Sequence, residues 1–251
     1  MYYYTLMQYG KLANLYDKFM SDVDYGAWAD HIADLIPDGA NVLEAGCGTG
    51  EISIRLARRG FTVTATDISE DMLIVASQKM RECGVGAPWL RFARMDMRSL
   101  ASHKKVDCVL SCCDGVNYLL SREDVLRFFR SAADVLKPGG MLIFDVSSRH
   151  KLSAILGNNS FTDNGMDAAY LWQNTYDEGS KLIRMELSFF VRKGELYERF
   201  DETHIQRAHS VRELGSWLEE AGFSWKARGF LKDGPPSEDE ERIEFIARKN
   251  S

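Results

Sequence analysis

The stretch Asn41-Val42-Leu43-Glu44-Ala45-Gly46-Cys47-Gly48-Thr49-Gly50 constrains this chain more than any other. A short apolar run ends at an acid and opens into a loop with glycine at every second position. Glu51 to Arg59 then has the pattern of a helix. Strand, glycine loop, helix is how an α/β sheet builds a nucleotide site. Glycine lets the backbone approach a ligand, and the helix start offers unpaired N–H groups. The spacing narrows the ligand. A dinucleotide fingerprint is Gly-x-Gly-x-x-Gly, whereas Gly46, Gly48 and Gly50 alternate, and Glu44 would repel a pyrophosphate. Asp67 ends a second predicted strand, where such folds bind a ribose diol, and Asp96 ends a third. Three acids at successive strand tips describe an adenosine ligand without phosphates.

The pattern around this stretch alternates strand and helix. Apolar residues at helical spacing predict helices over 12–20 and 25–35, closed by Pro37-Asp38-Gly39. Strands are predicted at 61–66, 90–95, 106–112 and 141–145. Helices follow at 70–83, capped by Ser69, and from Ser121 to Leu136, stopped by Lys137-Pro138-Gly139-Gly140. Strand–helix repetition means a parallel sheet with helices on both faces. After residue 145 the period changes. Residues 168–177, 181–192 and 195–207 read as three antiparallel strands, with Ile183, Met185, Leu187, Phe189 and Val191 on one face. A helix at 210–221 and strands near 224–231 and 242–247 complete the pattern.

Composition excludes several classes. A net charge of −6 and a pI near 5.5 argue against a chain that grips a long polyanion, so nucleic acid is a disfavoured partner. The five cysteines form no Cys-x-x-Cys pair and no ligand spacing with histidine, so no metal site is expected. Adjacent Cys112 and Cys113 in an odd set suit reduced thiols. The first residues lack a basic region followed by an apolar run, and no segment approaches the roughly 20 apolar residues of a membrane span. A cytoplasmic protein is expected, its oligomeric state open.

Taken together, Glu44-Ala-Gly-Cys-Gly-Thr-Gly, Asp67-Ile-Ser, Met95-Asp96-Met97 and Leu136-Lys-Pro-Gly-Gly resemble the successive motifs of class I S-adenosylmethionine-dependent methyltransferases. The likeness covers 41–146 in order and spacing. It implies a Rossmann-like, seven-stranded, mostly parallel sheet whose missing strands come from the segment after residue 222. It also implies S-adenosyl-L-methionine as cofactor and S-adenosyl-L-homocysteine as product. Carried over residue by residue, Glu44, Gly46, Cys47, Gly48 and Gly50 would hold the methionine portion and Asp67 the ribose. Ile68 and Met72 would cover adenine, Asp96 and Met97 would take its edge, and Cys112 would close the pocket. Tyr9-x-x-Leu-Ala-x-Leu-Tyr16-Asp17 and Tyr25-x-x-Trp28 resemble the leading helices of aminosugar- and glycine-N-methylating relatives. By that likeness Tyr16 and Trp28 touch the cofactor; both read also as core of an amphipathic helix, the reading favoured for Trp28. Domains are expected at 1–36 (a helical cap), 37–150 with 208–251 (the cofactor domain) and 151–207 (an inserted antiparallel lid).

Beyond the fourth strand, Asp114, Asn117 and Tyr118, with Arg207, are candidates to touch the acceptor. No Asn/Asp-Pro-Pro-aromatic run of base-amine methylation is present, and Cys112 and Cys113 lack the proline that accompanies a cysteine nucleophile of pyrimidine methylation. On the last meander strand Glu202, His204 and Gln206 share one face. The Glu-x-His pair resembles a feature of the same relatives and suits a general base for an amine or hydroxyl; a wet sheet face is the plainer reading. A small-molecule N- or O-methyltransferase leads. An RNA or protein methyltransferase, a non-catalytic cofactor-binding protein and an NAD-dependent dehydrogenase compete, the last failing on glycine spacing.

Overall fold

The computed structural model describes residues 13–250. The glycine stretch lies at the centre of a seven-stranded sheet. Its strands are β1 (Asn41–Ala45), β2 (Thr62–Asp67), β3 (Leu90–Arg94), β4 (Val106–Ser111), β5 (Leu136–Ser147), β10 (Phe223–Gly229) and β11 (Arg242–Lys249), ordered β10-β11-β5-β4-β1-β2-β3. β1 pairs in parallel with both β2 and β4, so the order reverses between β1 and β4. That reversal opens a crevice at the carboxyl ends of the strands, where α/β sheets bind ligands. β11 runs antiparallel to both β5 and β10, which supplies the expected final pair.

Amphipathic helices cover both faces of this sheet. α2 (Tyr25–Leu35), α3 (Glu51–Arg58) and α4 (Glu70–Glu82) pack on one face through Trp28, Ile32, Ile52, Leu56 and Leu73. α5 (Arg122–Val135) and α6 (Val211–Glu220) pack on the other through Phe128, Phe129, Leu214 and Leu218. Stacked Phe144 and Phe245, 4.8 Å apart, bind β5 to β11. Side-chain caps open these helices as read: Ser69 accepts from the Met72 N–H, and Ser121 from the Asp124 N–H. Among the described residues no helix is long and apolar enough to cross a membrane.

A second, four-stranded antiparallel sheet follows, in the order β6 (Ser160–Asn164), β7 (Ala168–Asp177), β8 (Leu182–Lys193) and β9 (Leu196–Arg207). Three of these strands are those expected; β6 is an addition. Its Ser-Phe-Thr-Asp-Asn sequence lies on an edge with little burial, so it has no alternation to betray it. The buried face of β8 is Ile183, Met185 and Phe189, as the alternation indicates. α1 (Ala13–Phe19) leans on this face through Phe19, 5.1 Å from the Phe189 ring and 5.5 Å from Tyr170. Tyr9 and Leu12 of the N-terminal motif lie outside the described residues.

Candidate active site

A cavity of about 300 Å³ opens at the strand reversal. Its floor is the glycine loop. Gly46 and Gly48 take φ of 75° and 53°, and a Cβ on Gly48 would meet nothing within 4 Å, so bare backbone faces open space. Gly50 differs. It ends the loop at φ 79° as the N-cap of α3, and an added Cβ would lie 3.0 Å from the Phe92 ring. Gly50 is therefore glycine because helix and β3 close on it; the cavity is lined here by Gly46, Cys47, Gly48 and Thr49.

The three strand-tip acids all line the cavity, in three electrostatic settings. Glu44 is almost fully buried and accepts a hydrogen bond from the Ser53 hydroxyl. Burial, with the Asp67 charge adding to it, pushes its carboxyl up to about 7. Asp67 ties the loop together: Oδ2 accepts from the Gly48 N–H at 2.8 Å and Oδ1 from the Ser69 N–H at 2.9 Å. The Ile68 backbone is a further hydrogen-bond partner of this carboxylate. Burial raises its pKa against those hydrogen bonds. Asp96 is bound to Arg98, whose guanidinium donates at 2.6 Å and reaches Asp124 at 3.0 Å. Burial works upward on Asp96, but the Arg98 hydrogen bonds outweigh it and the carboxyl falls below its ordinary value. Arg98 was not singled out in the sequence, although a cation two residues after a strand-tip acid is a readable signal.

Ile68, Met72 and Met97 line the same space, Ile68 with an exposed side chain that leaves a platform at the rim. Tyr16 and Tyr25 close it from the helical side. Trp28 does not reach it: the ring packs on Phe230 at 4.4 Å, as core. α1 is tied to the loop through Asp17, which accepts from the Thr49 hydroxyl at 2.6 Å and from Lys79 at 2.7 Å. Cys112 and Cys113 line the wall, with thiols raised well above their ordinary value by burial; thiolate chemistry is disfavoured there.

The acceptor side departs from expectation in detail. Tyr118 lines the cavity; Asp114, Asn117 and Arg207 do not. Asn117 is fully buried, donating to the Ser147 and Arg207 carbonyls while accepting from the Ser147 N–H. Asp114 accepts from Gln206 and Arg242, and Arg207 pairs with Glu213 at 3.0 Å. These contacts stitch the segment after β4 to β9. Glu202 and His204 are buried, 4.0 Å apart, and take the alternate face of β9 from Thr203 and Ile205, which line the cavity with Arg184 of β8. His204 meets the cavity through Tyr118: its Nδ1 lies 3.2 Å from the Tyr118 hydroxyl. Desolvation lowers the imidazole to about 4, so it is neutral at pH 7.

Residues 42–140 match the model of a methyltransferase domain. YqeM of Bacillus subtilis (strain 168), a candidate methyltransferase, is 40% identical over 246 residues, which is 97% of this chain and 98% of that protein. The chain belongs to the S-adenosylmethionine-dependent methyltransferases. A crystal structure of a S-adenosylmethionine-dependent methyltransferase from Clostridium acetobutylicum ATCC 824 has the same fold, with a TM-score of 0.87 at 32% identity over 97% of this chain and 99% of that one. A ubiquinone biosynthesis O-methyltransferase of Rickettsia felis is 30% identical over 190 residues, 74% of this chain and 67% of its own length. The cofactor of this methyltransferase is S-adenosylmethionine. Its cavity fits that group chemically: a carboxylate for an ammonium, a second acceptor carboxylate for a diol, and the glycine-rich loop lining the space with them.

Proposed function

We propose that this methyltransferase acts on a small-molecule oxygen or nitrogen nucleophile held between the cofactor loop and the second sheet. The observation that carries this reading is the cavity wall itself. Tyr16, Tyr25, Cys113, Tyr118, Leu119 and Ile205 make a recessed, largely apolar wall rather than a basic groove. A wall of that kind suits a compact molecule. The Rickettsia relative, a ubiquinone biosynthesis O-methyltransferase, supports a small-molecule rather than a polymer acceptor. In this reading the described residues of 1–36 form the cap, those of 37–150 with 208–251 the cofactor domain, and 151–207 the lid.

Bound S-adenosylmethionine supplies a methyl group on a sulfonium, electrophilic without further activation. What remains for the protein is to align the nucleophile, exclude water and accept a proton. Alignment is the larger contribution, worth roughly 7–11 kcal/mol, against about 3–5 kcal/mol for a general base. The second sheet and α1 exclude water, while Glu44, Asp67 and Asp96 hold the donor's ammonium, ribose and base. The Tyr118 hydroxyl lines the cavity 3.2 Å from His204 Nδ1, where it can take up a proton leaving the acceptor; His204, kept neutral by desolvation, orients that hydroxyl. An assay of S-adenosylhomocysteine release against panels of phenols, hydroxy acids, amines and amino sugars tests this function. Turnover confined to one chemical class supports it. Release only with RNA or protein substrates contradicts it.

The state of Glu44 gives a pH test. Its raised pKa means that the ligand-free protein gains stability from the protonated form, fully below about 4.5, and loses it as pH rises through about 7. An ammonium ligand favours the ionised form instead. S-adenosylhomocysteine should therefore bind roughly tenfold more tightly at pH 7.5 than at pH 6, releasing a proton below pH 7. Titration calorimetry in buffers of different ionisation enthalpy measures both effects. Affinity independent of pH in the native protein, or unchanged pH dependence in Glu44→Gln, would remove the assigned pairing.

A further inference from the structure

The turn that leaves β4 has a backbone conformation its own sequence does not favour. Cys113 and Asp114 are consecutive non-glycine residues in the left-handed region, with φ of 60° and 54°. Side chains are crowded there, and a cysteine has none of the local hydrogen bonding that makes it tolerable for aspartate. Two buried oxygens nearby, Ser111 Oγ and Asp145 Oδ1, have no hydrogen-bond partner among the described residues, so local bonding alone does not select this turn.

Polar groups from three distant strands hold it, two of them charged. Arg242 of β11 donates through one terminal nitrogen to Asp145 Oδ2 and through the other to Asp114 Oδ1 at 3.0 Å. Asp145 Oδ2 also accepts the Asp114 N–H at 2.9 Å, and Gln206 of β9 donates to Asp114 Oδ2 at 2.8 Å. The Trp28 ring lies beneath the guanidinium, 5.2 Å from its carbon. A planar fork reaches the two carboxylates from two separate nitrogens in a fixed geometry; lysine has only one nitrogen to share between them, and an apolar side chain has none. On the other side of the turn Cys113, Gly115 and Tyr118 line the cavity.

We propose that Arg242 is a positioning residue for methyl transfer. It holds the Cys113–Asp114 turn in the left-handed region, and so presents Cys113, Gly115 and Tyr118 to the acceptor half of the cavity. The role rests on the reading of that cavity as the methyl-transfer site, but the conformational claim is independent of the acceptor. Without the guanidinium, Asp114 and Asp145 face each other as like charges and the turn relaxes away from the wall.

Hydrogen-exchange mass spectrometry on the full chain, paired with calorimetry using S-adenosylhomocysteine, tests this. In Arg242→Met, exchange across 113–119 should quicken by about tenfold while β1 and α3 keep their protection, with the dissociation constant within about threefold of native. Arg242→Lys should fall between. Adding Cys113→Gly to Arg242→Met should restore part of the protection, because glycine accepts the conformation unaided; a charge needed only for bulk packing would not be rescued there. Unchanged exchange, loss of protection spread evenly over the sheet, or no rescue by glycine overturns the proposal. If Arg242→Met does not fold, Arg242→Lys is read against the same outcomes. Failure of native protein to bind S-adenosylhomocysteine would instead overturn the cofactor reading, leaving the exchange result standing.

Discussion

Replacing Asp67 by alanine is expected to weaken S-adenosylhomocysteine binding by at least about a hundredfold, the largest effect of any single change in the cofactor half of the cavity. Two losses coincide at this position. Asp67 orients the ligand-facing loop by accepting the Gly48 and Ser69 N–H groups, and its carboxylate lines the cavity. Hydrogen bonds to a charged acceptor are worth roughly 1.5–3 kcal/mol each, and removing the acceptor leaves partly buried donors unpaired. Asparagine is a poor substitute, because its NH₂ would face one of those two N–H donors. Calorimetry measures the affinity, and a thermal melt of the ligand-free variant reports the loop's own contribution. Binding within about threefold of native in Asp67→Ala would show that the loop and the diol contact are held by something else.

The second large effect concerns Tyr118. Tyr118→Phe keeps the ring against the cavity and removes the hydroxyl that joins it to His204 Nδ1. If this hydroxyl takes up the acceptor's proton, turnover falls by about 10²–10⁴-fold with S-adenosylhomocysteine affinity within about twofold. His204→Ala should fall into the same range. The buried imidazole, lowered to about 4, remains neutral above pH 5, so no loss of rate attributable to His204 is expected between pH 6 and 8. A depressed histidine has a cost in acid: its stabilising contribution is present above about 6.5 and fades as pH falls toward 4, because the unfolded chain takes the proton first. His209, buried against the Leu119 carbonyl and also lowered to about 4, adds to that trend. Unchanged turnover in Tyr118→Phe would assign the ring to packing and remove the proton-accepting role.

The cofactor half was legible because its signals are local. Glu44, Asp67 and Asp96 each end a strand that hydrophobicity alone identifies, and a parallel sheet brings successive strand tips to one edge. Gly50 lies against Phe92 rather than on the cavity lining, a difference that glycine spacing does not show. The acceptor half depends on how two sheets dock. Alternation correctly grouped Glu202, His204 and Gln206 on one face of β9, but period alone cannot say which face meets the cavity. The structure puts Thr203 and Ile205 there, and sets His204 behind Tyr118. Asp114 and Asn117 lay on the right segment, yet their partners, Arg242, Gln206 and Ser147, come from distant strands that no sequence window contains. The buried Arg242 was hidden for the same reason, one cation in a β-strand among thirty-one Lys and Arg in the chain.

The most direct measurement of what this methyltransferase does is the fate of a labelled methyl group. Protein, S-adenosylmethionine carrying a tritiated methyl, and a bacterial lysate are incubated together, and the products are separated by acid precipitation and filtration. The expected result is enzyme-dependent label in the small-molecule filtrate, abolished in Asp67→Ala and strongly reduced in Tyr118→Phe. Enzyme-dependent label found only in precipitated RNA or protein would contradict the small-molecule assignment.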